Sequence, residues 1–172
     1  MFEFLWKRKS PAAPGRTDER LDAPGTHLRY DAALVPNLIA DHHALLGIFG
    51  EIGQATQQKN VHKVQEKLGE FGDALRGHLL KENIRFYVYL THCLQNDAEN
   101  SALIHDLRKE MMHIGKAVAA FLHKYTAEGE WSGGMWQGFQ EEVGNIGKVL
   151  VKRIKTEEEM LYPLYMPPEN YR

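Results

Sequence analysis

Prolines are almost absent from the middle of this chain. Between residues 34 and 162 there is only Pro36, while three of the seven prolines lie in residues 8–30 and the rest at 163–168. Proline interrupts a helix interior but is tolerated in the first turn. A stretch this long, with its one proline at the start, therefore permits long helices. The apolar spacing fills that permission. Leu38, His42, Leu45, Phe49 and Ile52 form one stripe, and Val64, Leu68, Phe71, Leu75, His78, Glu82, Phe86 and Tyr89 a second. Leu103, Leu107, Glu110, Ile114, Val118, Phe121 and Tyr125 form a third, and Phe139, Val143, Ile146, Leu150, Glu157 and Leu161 a fourth. The steps alternate between three and four residues, the period of a buried helical face. The predicted helices span about 34–58, 60–95, 99–126 and 135–162, with no strand. The breaks "TQQKN", "QNDAEN" and "AEGEWSGG" are short and polar, which makes sequential helices antiparallel neighbours. The expected fold is all-α: an up-down-up-down four-helix bundle over residues 32–165, with an irregular N-terminal arm at 1–31 and a tail at 166–172.

Each stripe contains polar residues that a core should refuse. At about 100° per residue, Glu82 falls about 20° and His78 about 60° from the axis set by Leu75. His42 lies about 40° from Leu38, while His43 points to water. Glu157 and Arg153 lie about 20° and 60° from Leu150, and Glu110 and His113 about 40° and 100° from Ile114. His62 and Glu66 repeat the His-x-x-x-Glu spacing but fall on the outer face, so spacing alone decides nothing. Counting back from shared turns places the inward set at one height in the bundle. The segment Leu75-x-x-His78-x-x-x-Glu82-x-x-x-Phe86 recurs as Leu150-x-x-Arg153-x-x-x-Glu157-x-x-x-Leu161, with Arg153 in the place of His78.

A buried carboxylate or imidazole costs several kcal/mol unless it is paired or binds a cation. Imidazole nitrogen with carboxylate oxygen suits iron, zinc or manganese. The candidate metal ligands are His42, His78, Glu82, Glu157, Glu110 and His113, and Arg153 modifies the site. A guanidinium beside Glu82, Glu157 or Glu110 could supply the positive charge instead of a metal.

"DHHALL", "GHLLKEN", "EMMHIGK" and "RIKTEEEMLYPLY" together resemble the hemerythrin-like family, the HHE cation-binding domain, over about residues 32–165. The resemblance implies a non-haem iron pair in a four-helix bundle, used to bind dioxygen or to sense iron, oxygen or redox state. The chain departs from that pattern. Arg153 stands where the fourth helix should carry histidine, and positions 109 and 117, where a second third-helix histidine would stand, hold Lys and Ala. The expected site is thus an incomplete layer holding one or two iron ions, with zinc or no metal as open alternatives. The implied partners are the metal ion and dioxygen.

Other classes are excluded or kept as rivals. The net charge of −2 gives no basic field for nucleic acid. No Ser–His–Asp arrangement, phosphate-cradling Gly loop or paired Cys motif occurs. Cys93 is alone, so no internal disulfide forms; "MFEFLWKRKS" is not a secretory signal, and no apolar run of about 18 residues exists. The expected location is the cytoplasm. "FEFLW" is read as an arm packed on its own domain, or as a contact for a membrane or partner. One rival function is a metal-free regulatory or interaction protein, docking on a partner or forming a homodimer through its aromatic ends. A weaker rival is a di-iron carboxylate oxidase using Glu110-x-x-His113.

Overall fold

The computed structural model describes residues 22–23, 25–127 and 129–171. Most of the expected N-terminal arm, including "FEFLW", lies outside them. The described residues are all-helical apart from one isolated bridge, Asp22 to Arg29. The elements are α1 (Leu34–Gln57), α2 (Val61–Lys81), α3 (Tyr87–Cys93), α4 (Ala98–Tyr125) and α5 (Gly133–Thr156). A π-turn, Glu82–Phe86, joins α2 to α3 without a break, and a second, Glu157–Leu161, extends α5. The second predicted helix is therefore α2, the π-turn and α3 in series.

Local chemistry sets the ends. Pro36 sits in the first turn of α1, where its missing N–H would have had no helical partner. α1 closes in a Schellman motif: Asn60 N–H donates to Ala55 O and Lys59 N–H to Thr56 O, with Lys59 at φ 50° in the left-handed region. Asn60, Asp97 and Ser132 then cap α2, α4 and α5, their side chains accepting from Lys63, Asn100 and Met135 N–H.

α1 packs on α2, α2 on α4, α4 on α5 and α5 on α1, closing a four-helix ring. Its core is split in two. One apolar cluster contains Leu45, Ile52, Leu68, Phe71, Leu75, Phe121, Phe139 and Leu150. The other contains Leu34, Leu38, Phe86, Tyr87, Tyr89, Leu107, Leu161 and Tyr165. Between them lie the buried polar residues His42 on α1, His78 on α2, Arg153 on α5, and Glu82 and Glu157 at the starts of the two π-turns. The C-terminal aromatics seal the second cluster: Tyr165 stacks on Tyr30 and Phe86, and Tyr171 OH donates to Leu164 O. These side chains are engaged within the chain itself.

Candidate metal centre

α1 brings His42 to the centre and α2 brings His78, their rings 4.7 Å apart. The start of the second π-turn brings Glu157. One donor atom from each of these three residues lies within 4.8 Å of the other two, and all three side chains are buried. His42 Nε2 stands 3.1 Å from Glu157 Oε2. Glu82, at the start of the first π-turn, borders this group, with Oε2 3.8 Å from His78 Nε2.

The outer atoms of both imidazoles face carboxylates. Glu158 Oε1 is 2.8 Å from His42 Nδ1, which turns Nε2 toward the centre. Asp41 Oδ2 is 3.5 Å from His78 Nδ1, and Lys81 Nζ holds the Asp41 carboxylate at 2.6 and 2.8 Å. A carboxylate behind an imidazole is the usual support of a metal-binding histidine.

Arg153 consumes much of the remaining charge. Its Nε donates to Glu157 Oε1 at 2.5 Å, Nη1 to Leu107 O and Glu110 Oε2 at 3.0 and 3.3 Å, and Nη2 to Tyr87 OH at 2.9 Å. Glu157 thus divides its oxygens, one to the guanidinium and one to His42.

Among the described residues, two buried polar atoms have no hydrogen-bond partner: His78 Nδ1, 3.5 Å from Asp41 Oδ2, and Glu82 Oε2. A carboxylate oxygen with no exposure and no donor is costly in a metal-free core. The donor set is mixed imidazole and carboxylate, and it fits a borderline divalent ion.

Protonation follows the same crowding. Burial lowers the His42 pKa, but hydrogen bonds and charge from Glu157 and Glu158 outweigh it and leave it raised. Burial, then the neighbouring His42, lowers His78. Burial and the Glu157 charge raise Glu82 to about 8. Burial opposes ionisation of Glu157, yet His42 and Arg153 hold it below the ordinary carboxylate range. Without a metal, His42 and Glu82 therefore hold protons more tightly than free side chains do.

Among the described residues, three spaces border the layer, one of them a cleft of about 230 Å³ lined by Asp41, His78 and Lys81. An apolar cavity of about 30 Å³, room for a water-sized guest, is lined by Leu45, Phe49, Phe71, Met111 and Leu150 and bordered by His42, His78, Arg153 and Glu157. A larger cleft of about 580 Å³ opens between α2 and α4, with Glu82 and Tyr87 among its lining and Arg108 and Lys109 beside them.

His42, His78, Glu82, Glu157 and Arg153 thus share one layer. His113 does not join it; it is exposed on α4. Its phase, about 100° from the inner stripe, is too far round for the side chain to return. Glu110 is 49% exposed and reaches only Arg153. His62 and Glu66, the outward pair, are exposed as expected. Sequence reasoning missed Glu158, which the wheel assigned to a solvated face, and Tyr162, Tyr87 and Asp41. A readable signal existed for two of these. The repeat extends one residue further, so that Glu82-x-x-x-x-Tyr87 matches Glu157-x-x-x-x-Tyr162.

The family model described as the hemerythrin HHE cation-binding domain matches residues 33–165. The chain belongs to the hemerythrin HHE cation-binding family. No curated protein and no solved structure gives a match. In this hemerythrin-like chain the family's buried layer carries a guanidinium at the position of the expected fourth-helix histidine. Among the described residues, no helix is long and apolar enough to cross a membrane.

Proposed function

We propose that this chain binds a single divalent transition-metal ion, iron in keeping with its family, between His42, His78, Glu82 and Glu157. The supporting observation is the fully buried, unpartnered Glu82 Oε2 facing His78 Nε2. A cation there satisfies the carboxylate and replaces the protons on His42 and Glu82. The Arg153 guanidinium, already on Glu157 Oε1, takes the positive charge that a second ion would bring. The proposed scaffold is the up-down-up-down bundle of residues 32–165. The proposed role is cytoplasmic: sensing or sequestering metal, oxygen or redox state.

Metal analysis of protein purified anaerobically with iron supplied tests this. About one ion per chain is expected, with His78→Ala and Glu82→Gln losing it while keeping their helicity. Metal-free protein under every loading condition overturns the reading and favours the surface-acting regulatory rival. That rival has its own observation: His42 and Arg153 already occupy both oxygens of Glu157. The oxidase rival is weakened, because Glu110 and His113 both lie on the exposed face of α4.

A further inference from the structure

We infer that Tyr162 is a ligand of this ion, its phenol oxygen sharing the coordination shell of His42 Nε2 and the Glu82 carboxylate. The inference rests on the single-metal reading above and adds a donor of a different chemical type.

The distances carry it first. Tyr162 OH lies 3.0 Å from Glu82 Oε1 and 3.3 Å from His42 Nε2. His42 Nε2 is in turn 3.1 Å from Glu157 Oε2. Donors each about 2.0–2.2 Å from one ion stand roughly 3.0–3.5 Å from one another. These separations are edges of such a shell. The phenol oxygen stands within contact distance of both His42 Nε2 and Glu82 Oε1.

The backbone carries it second. Tyr162 N–H donates to Glu157 O across the π-turn. In an unbroken α-helix residue 162 would sit about 140° round from residue 157. The wider turn absorbs one residue and returns Tyr162 to the face of Glu157. Packing then fixes the ring: it stacks on His42 at 5.6 Å and 12°, and meets Phe86 edge-on at 5.2 Å.

The internal repeat carries it third. Tyr87 follows Glu82 as Tyr162 follows Glu157, through the same kind of backbone bond. On the arginine side a cation is already visible: the guanidinium touches Glu157 Oε1 and Tyr87 OH together. The equivalent pair from opposite halves, Glu82 and Tyr162, has no such cation among the described residues, and within this pair Glu82 Oε2 is left without a partner. One carboxylate and one tyrosine flank each position, with a guanidinium at the first and a metal ion at the second. On binding, the phenol O–H breaks and its proton passes to solvent. The oxygen lone pair turns to the metal, whose oxidation state does not change.

Loading the full chain with iron(III) and recording visible absorption and resonance Raman spectra tests this. A phenolate-to-iron charge-transfer band with tyrosinate ring modes is expected. Tyr162→Phe should keep iron, lose the band and weaken binding about tenfold or more; Tyr87→Phe should keep the band. Iron-loaded wild type without the band, or Tyr162→Phe with the band intact, overturns the inference and leaves the single-metal reading standing. Wild type that takes up no iron overturns both. A wild-type band that persists in Tyr87→Phe supports the inference, and its loss there overturns it, even if Tyr162→Phe fails to fold.

Discussion

Glu82 is the residue that most needs a cation. It is fully buried, accepts one hydrogen bond from Tyr162, and leaves its other oxygen unanswered. Its raised pKa, about 8, and the raised pKa of His42 set the expected pH dependence. Both groups hold their protons more tightly than free side chains do, and a metal must displace them. Affinity should therefore increase as pH rises and level off once Glu82 is ionised, while acid weakens binding. His78, already lowered, contributes little to the slope. Zinc(II) titrations across about pH 6 to pH 9 measure this, since that window spans the ionisation of Glu82; affinity flat across it would contradict the assignment. Arg153 makes the complementary case. Arg153→Ala leaves Glu157 buried with half its partners and should cost about 3–5 kcal/mol in denaturant unfolding. Arg153→His restores the ligand type the family expects and should raise iron content from about one ion per chain toward two. Unchanged content would show that the guanidinium does not limit the site.

At the scale of elements, the two π-turns explain both what the sequence made readable and what it hid. The four helices and their polar layer follow from a period of three and four, and that period holds through His42, His78, Glu82, Arg153 and Glu157. Beyond Glu82 and Glu157 the backbone bonds skip to the fifth residue, and a wheel with constant angle fails. Glu158 therefore turns in to His42 and Tyr162 enters the layer, although an α-helical wheel places both elsewhere. His113 was readable in the opposite sense, since its flank position already argued against it. Deleting the exposed Met160 removes the residue that the wider turn absorbs and leaves Tyr162 four residues from Glu157, on the same helical face. The loss in denaturant unfolding is expected to stay under about 2 kcal/mol, whereas inserting one alanine there, which turns Tyr162 out of its packing, should cost at least about 3. Equal unfolding midpoints for the deletion and the insertion would contradict a π-turn at this point. The α1–α2 turn offers a gentler check. Lys59 holds φ 50°, so Lys59→Gly should stabilise by roughly 0.5–1 kcal/mol in the same assay.

At the scale of the whole molecule, a polar layer divides two apolar clusters that would otherwise form one core. Stability and metal binding are thus coupled. A ligand that binds only the folded state at a hundred times its dissociation constant adds about 2.7 kcal/mol. For a chain of this size that is roughly 5–10 °C in the thermal midpoint, and a chelator should reverse it. The most direct measurement is anomalous X-ray scattering from crystals of the iron-loaded protein. The account expects one peak per chain, in contact with His42, His78, Glu82 and Glu157, with Arg153 still on Glu157. Two peaks, or a peak that displaces the guanidinium, would contradict it.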